Sequence, residues 1–316
     1  MKVFAYACRG YDEAPLFEKH AGTLGIEIGM TPDILKEETL HLAEGCRYIS
    51  TVTTRLDASL LDGLKVMGVR LVSTRTIGYE TIDIEYARKI GIHISNVSYA
   101  PESVAEYTLM LMLAALRRVG AIMKRMEREN FSLKGVCGEL LTDKTIGVIG
   151  TGSIGSAVVK MLRALGCRVY VNNRHGGDVC GGEYLPLDEL LSRCDLVTLH
   201  TPMNDGNFHM LDATAIEKMP RGTIVVNTAR GALIDTDALI AGLNSGHIAC
   251  CALDVAEDSF SRKSGDRMET LRNMENVLIT PHRAFYTENA VSEMIYNSLL
   301  SCRLTEDGEK NPWEIV

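Results

Sequence analysis

The 316-residue sequence has no surplus of positive charge. Its 33 Lys and Arg stand against 41 Asp and Glu, a formal charge of −8 at pH 7, which argues against nucleic acid or an anionic membrane as the main partner. Nor is there a long apolar run. The longest, residues 107–116, is about half of the ~20 residues a bilayer-spanning helix needs and reads as a buried helix. The nine cysteines (Cys8, Cys46, Cys137, Cys167, Cys180, Cys194, Cys250, Cys251 and Cys302) are odd in number and include no C-x-x-C pair or ligand-like spacing. Neither a disulfide framework nor a metal site is expected. The opening MKVFAYACRG has no charged stretch followed by an apolar core, so no secretory signal is expected, and the thiols read as those of a cytoplasmic protein. Internal repeats and low-complexity linkers are absent too. With 46% hydrophobic and 23% charged residues the chain is not of the disordered class. Its length, twice a domain of ~150 residues, suggests two domains.

What fills the chain is alternation of strand and helix patterns. Residues 2–8 are apolar and β-rich and read as an opening strand; 69–73 and 92–97 read likewise, with helical patterns between. These suggest a small α/β domain ending near residue 98. Pro101 then opens a long helix, with Glu102 in its first turn and Leu109, Met112, Leu113 and Leu116 at helical spacing. From Thr145 onward strands are expected at 145–150, 168–172, 196–201, 223–227, 249–255 and 277–280. Helices are expected at 153–165, 187–193, 212–218 and 236–244. Near-continuous apolar strands separated by helices predict a parallel sheet covered on both faces. A last helix is expected over about 287–304, and the polar tail after Thr305 is expected to fray.

Gly150, Gly152 and Gly155 form a G-x-G-x-x-G arrangement after an apolar strand and before a helix, the context of a dinucleotide-binding turn. Gly150 would permit the tight turn, Gly152 the approach of a pyrophosphate, and Gly155 close packing of the helix. The helix start at Ser153 and Ile154 offers N–H groups and a positive dipole end. A purely structural turn is the alternative. The next strand ends in Asn173, Arg174 and His175, with no carboxylate to hold both ribose hydroxyls. A guanidinium attracts a 2′-phosphate that a carboxylate would repel, so NADP is favoured over NAD. The alternative is an exposed Arg174 with NAD held by the remaining contacts.

Arg230 and His282 each follow an apolar strand, where ligands collect in parallel α/β sheets. A planar guanidinium can hold a carboxylate and polarise its neighbouring carbonyl, and imidazole gives or takes a proton near neutral pH. The alternatives are a surface Arg capping a strand and a structural His.

Seven stretches together resemble the D-isomer-specific 2-hydroxyacid dehydrogenase family: 73–85 (STRTIGYETIDIE), 96–118 (NVSYAPESVAEYTLMLMLAALRR), 148–156 (VIGTGSIGS), 199–203 (LHTPM), 226–240 (VNTARGALIDTDALI), 252–256 (ALDVA) and 279–292 (ITPHRAFYTENAVS). They cover most of the chain in the family's order. Residues 99–103 and 284–287 are most similar to the D-lactate dehydrogenase branch and, within it, to the pyruvate reductases of glycopeptide-resistance clusters. The resemblance implies an α/β protein of two Rossmann-like, doubly wound parallel-sheet domains. The dinucleotide-binding domain, 99–284, would be inserted into a smaller discontinuous substrate domain made of 1–98 and 285–316.

The resemblance also implies residue roles. Arg230 would hold the substrate and His282 would donate the proton. The N–H groups of Ile77 and Gly78 would meet the substrate carboxylate, and Tyr99 would border the substrate pocket, its alternative being a half-buried hinge residue. His200, Thr201, Pro202, Thr228 and Ala229 fall on the cofactor side, and Asp254 would receive the nicotinamide carboxamide. The family's histidine-orienting Glu lies five residues after the Asp of Leu-Asp-Val, where this sequence has Ser259. Glu257 is expected to take over, raising the His282 pKa, with Asp258 as second choice. Arg283 replaces an apolar or small residue and would accept a second carboxylate or pair at the surface. The implied activity is NAD(P)H-dependent reduction of a small, pyruvate-like 2-keto acid to the D-2-hydroxy acid, and the reverse, in a homodimer joined through the cofactor domain. The missing Glu keeps open a nicotinamide-sensing, catalytically weak binding protein on the same scaffold. A dehydrogenase of formate or phosphonate type is the other alternative.

Overall fold

In the computed structural model, which describes residues 1–257 and 265–316, the opening strand β1 (Lys2–Ala5) is shorter than its apolar run, because the chain turns at Ala7 through a φ of 50°. It is followed by α1 (Ala14–Leu24), β2 (Glu27–Met30), β3 (Tyr48–Thr51), α2 (Ala58–Val66), β4 (Leu71–Thr74), α3 (Ile84–Ile90) and β5 (His93–Ser95). Periodicity does not reveal β2 or β3. The first is a partly exposed edge strand, and half of the second is polar, Ser50 and Thr51 being buried in the sheet.

Next come α4 (Glu102–Leu116), α5 (Val119–Met126), β6 (Thr145–Ile149), α6 (Ser153–Ala164), β7 (Arg168–Asn172), β8 (Glu183–Tyr184), α7 (Leu187–Arg193) and β9 (Leu196–Leu199). The chain continues through α8 (Ala213–Lys218), β10 (Thr223–Asn227), α9 (Thr236–Asn244), β11 (Ile248–Leu253), α10 (Gly265–Asn273), β12 (Val277–Ile279) and α11 (Glu288–Asp307). The long helix starts where Pro101 predicts it, and strands β6, β7 and β10 fall within a residue of their expected ends.

The chain divides into two compact units. The terminal unit is Met1–Ala100 with Tyr286–Val316, and the central unit is Pro101–Phe285. Among the described residues the terminal unit's sheet has five strands in the order β2-β1-β3-β4-β5, and the central unit's has seven in the order β12-β11-β10-β9-β6-β7-β8. Every pairing between these strands is parallel. Both are doubly wound, as expected. The winding reverses between β1 and β3 in one sheet and between β6 and β9 in the other, and such a reversal opens a crevice at the carboxyl ends of the strands. The inner strands of the central sheet are mostly apolar because helices cover both faces: Ile146, Val148, Leu196, Val226 and Ala252 pack under α4 and α6, while Val197, Leu199, Val225 and Leu253 pack on the other side.

The tail does not fray. α11 runs to Asp307 and closes at Gly308 with a φ of 72°. Residues 314–316 then lie antiparallel beside β5, Ser95 bridging Glu314 and Ile315 N–H donating to the Ile94 carbonyl at 2.8 Å. β5 is an edge strand, and its unpaired main-chain groups are a template that polar composition does not reveal.

Candidate functional site

The glycine turn lies at the reversal between β6 and β9. Gly150 has a φ of 90°, and a Cβ there would stand 2.5 Å from the His200 carbonyl at the end of β9. A Cβ on Gly155 would overlap the Gly150 carbonyl, whereas one on Gly152 would meet nothing within 4 Å. So two glycines let backbone press on backbone, and the third leaves open space beside the helix start. Gly152 caps α6 without any side-chain bond to its first amides. Those N–H groups, Ser153 and Ile154 among them, suit a phosphate, so the cradle fits a dinucleotide. His200 is half-buried with Nε2 2.9 Å from Thr198 Oγ1, and desolvation pushes its pKa down to about 3. It is therefore a neutral packing residue against the turn. Thr201 and Pro202 follow it in the loop.

At the end of β7, Asn173 folds on itself: its Oδ1 accepts from His175 N–H at 3.1 Å and its Nδ2 donates to the Gly177 carbonyl at 3.2 Å. This turn leaves Arg174 and His175 exposed.

Arg230 ends the loop after β10. Asn227 shapes that loop from both sides, accepting from Ala229 N–H at 2.9 Å and donating to the Arg230 carbonyl at 2.8 Å. The Thr228 hydroxyl donates to Thr108 of α4, whose own proton goes to the Val104 carbonyl. A Cβ on Gly231 would overlap the backbone of Ala256 and Glu257, so glycine is required where the two loops cross. His282 sits on a turn with a φ of 53°, a left-handed conformation that costs of order 1–3 kcal/mol for a non-glycine residue. Asp254 holds it there. The Asp254 carbonyl accepts from His282 N–H, and its carboxylate accepts from Thr280 Oγ1 at 2.6 Å and from the N–H groups of Arg283 and Ala284 at 2.8 Å. With three of about four lone pairs engaged, one remains for a carboxamide.

Half-buried His282 packs edge-on against Phe285, its ring centroid 6.1 Å away. Burial pulls its pKa below the usual histidine value; the charges of Arg230 and Arg283 push the same way, and Asp254 opposes them. The central unit thus brings Arg230, Asp254 and Arg283 within electrostatic reach of His282.

Glu257 does not join them. Its Oε1 lies 2.9 Å from His209 Nε2 and its Oε2 takes the Thr236 hydroxyl at 3.2 Å. The expectation that it orients His282 is corrected: both oxygens are held by the loop before α8 and by the start of α9. His209, at a φ of 51°, carries no sequence signal for this pairing. Asp258 and Ser259 lie outside the described residues. Among the described residues no group of three or more His, Cys, Asp and Glu is arranged to hold a metal ion, and no helix is long and apolar enough to cross a membrane.

In the terminal unit, Arg75 follows β4 fully buried. It is 3.5 Å from Glu13 and donates to Ser50 Oγ and to the carbonyls of Tyr6 and Ala7. Desolvation pushes its pKa down and Glu13 opposes this, so this Arg anchors the loop and is not available to a ligand. Ile77 and Gly78, next in the loop, have main-chain N–H groups with no acceptor among the described residues. Tyr99 is half-buried at the end of this part of the unit.

Residues 109–284 match the family model described as the D-isomer specific 2-hydroxyacid dehydrogenase, NAD binding domain. The chain is 37% identical to an aromatic 2-oxoacid reductase of Clostridium sporogenes, with 95% of each chain covered. It is 34% identical to a D-lactate dehydrogenase of Escherichia coli over 100% of both. Among solved structures it resembles a D-2-hydroxyisocaproate dehydrogenase with a TM-score of 0.90 at 31% identity, covering 100% of this chain and 99% of that one.

Proposed function

The chain belongs to the D-isomer-specific 2-hydroxyacid dehydrogenase family, an enzyme family that uses a nicotinamide cofactor, and from that premise we propose that it reduces a small 2-keto acid to the D-2-hydroxy acid. The observation that carries the reading is the placement of Arg230 after β10 and His282 after β12, the two strands that flank β11 in the central unit, with His282 strained, half-buried and its pKa depressed by burial and by the Arg230 charge. A bound nicotinamide dinucleotide would supply hydride to the keto carbon. The Arg230 guanidinium would hold the carboxylate and stabilise negative charge growing on the keto oxygen. His282 would give its proton to that oxygen as the carbonyl π pair becomes the O–H bond, and take it back in the reverse direction. A depressed pKa makes the imidazolium a stronger acid, which favours that transfer. The N–H groups of Ile77 and Gly78 are assigned to the carboxylate, Tyr99 to the substrate's side chain and the one remaining Asp254 lone pair to the carboxamide.

The exposed Arg174 and the absence of a carboxylate at residues 173–175 support NADP(H) over NAD(H). Met110, Leu113, Val119, Ile122, Met123 and Met126 on α4 and α5 are apolar and exposed, and we assign these two helices to contact with a second copy of the chain. Seven of the nine cysteines are buried as free thiols with raised pKa values, in keeping with a reducing, cytoplasmic setting.

The test is consumption of NADPH or NADH by the purified chain with a panel of 2-keto acids across pH. Turnover with D-configured product is expected, and no turnover with any substrate overturns the reading. His282→Asn keeps a residue that tolerates the left-handed turn; it should lower kcat by about 10²–10⁴-fold and leave cofactor affinity unchanged.

A further inference from the structure

The loop that carries the Ile77 and Gly78 amides is tied down on its carbonyl side. The Thr76 carbonyl accepts from Val97 N–H at 3.3 Å, the Ile77 carbonyl from Asn96 Nδ2 at 2.8 Å, and the Gly78 carbonyl from the Thr76 hydroxyl at 2.6 Å. Since that hydroxyl has one proton and gives it to Gly78, the Thr74 hydroxyl, 2.7 Å away, donates to it. In a planar trans peptide the C=O and N–H point in opposite directions. Pinning the Thr76 carbonyl therefore aims the Ile77 N–H away from the body of the unit, and pinning the Ile77 carbonyl aims the Gly78 N–H the same way.

Asn96 is held in turn by the chain's last residues. Its N–H donates to the Trp313 carbonyl at 3.1 Å, and Trp313 Nε1 donates to Ser98 Oγ at 2.9 Å. Trp313 N–H reaches Asn311 Oδ1, and Asn311 Nδ2 reaches Ser301 Oγ of α11, which itself donates to Ser95 Oγ of β5. Ile94 exchanges main-chain bonds with Ile315 and Val316. Asn297 of α11 holds the Ser98 carbonyl at 2.7 Å. Residues 311–316 therefore complete the edge of the sheet, and the short stretch from Asn96 to Ser98 is fastened on one side to that tail and on the other to the loop after β4.

We infer that Asn96, braced by the 311–316 segment through Trp313, is a positioning residue that presets the Gly78 amide, next to that of Ile77, for a substrate carboxylate and so determines selection of 2-keto acids over uncharged keto analogues. This rests on the proposed function, since it is the carboxylate of that substrate the amides would meet. Asn96 touches no reacting atom; it acts by holding one peptide plane. Losing it frees the Ile77–Gly78 peptide to rotate, which weakens binding of an anion and leaves the central unit unaltered.

The experiment compares the best 2-keto acid of the panel with its primary amide, which keeps the ketone and lacks the charge. For Asn96→Leu we expect KM for the acid to rise on the order of tenfold, as for loss of one charge-assisted hydrogen bond, with kcat within about twofold. The kcat/KM for the amide and the affinity for the cofactor should be unchanged. General damage to the unit would lower acid and amide together, so the acid-to-amide ratio is the readout. Asn96→Ser, whose hydroxyl is too short to reach the Ile77 carbonyl, should lower the ratio likewise and replaces Asn96→Leu if that variant does not fold. Trp313→Phe, which removes the indole N–H that holds Ser98 together with part of the ring, should lower it by a smaller factor. An active wild type whose ratio is the same in the Asn96 variants overturns the inference alone. A wild type that reduces no 2-keto acid overturns the proposed function, and the inference with it.

Discussion

Asp254 and His282 are hydrogen-bonded to each other through the main chain. The Asp254 carbonyl accepts from His282 N–H at 2.8 Å, while its carboxylate closes on the N–H groups of the two following residues. The aspartate thereby stabilises the left-handed turn that His282 would not adopt unaided.

Replacing that carboxylate by an amide leaves one oxygen to do the work of two. Asp254→Asn should destabilise the central unit by about 1–3 kcal/mol, the usual cost of leaving buried donors unsatisfied, and lower kcat more than it raises KM for the cofactor. Denaturant unfolding and steady-state kinetics measure both. An unchanged kcat would show that the turn holds without the carboxylate.

The Arg283 charge depresses the His282 pKa, as does Arg230. Reduction needs the imidazolium, so its rate falls as pH rises through that pKa. Removing one depressing charge raises the pKa, and Arg283→Ala should therefore carry the falling limb of kcat/KM for reduction to higher pH. The rising limb for oxidation of the hydroxy acid, which needs neutral imidazole, should move the same way. A shift to lower pH in either profile would contradict the electrostatics described.

Glu257 faces His209 and Thr236, which sets it apart from His282. Glu257→Gln should leave the pH limbs of reduction in place and lower stability by about 1–2 kcal/mol through the weakened bonds. A displaced limb would mean that its charge reaches His282 after all.

The proposed reading gives Arg174 a part in cofactor choice alone. Arg174→Ala should raise KM for NADPH by roughly tenfold, as expected for one lost guanidinium–phosphate pairing, and leave KM for NADH near its original value. Equal effects on the two cofactors would remove the basis for an NADP preference.

The doubly wound sheets were legible because apolar strands alternate with helices, and G-x-G-x-x-G between Ile149 and Ser156 marks the turn by local sterics alone. The same holds for the strand ends that carry Arg230 and His282, since short-range apolar periodicity says where a strand stops. β2 and β3 escaped notice because one is exposed at an edge and the other buries hydroxyls, so neither shows an apolar alternation.

The family resemblance also pointed to Glu257 as the partner of His282, being only a few residues from the family's position; tertiary contacts gave one of its oxygens to His209, 48 residues away in the chain, and the other to Thr236, 21 residues away. Local order along the chain thus determined the fold class, the phosphate-binding turn and the identity of the charged groups at strand ends, because each depends on residues within a few positions of one another. Which groups meet was decided only in three dimensions. Asn96 reaches Ile77 across 19 residues, and residues 311–316 reach β5 from the far end of the chain. A polar tail read as loose by composition is ordered because the edge of a sheet offers it hydrogen-bond partners that no local pattern records.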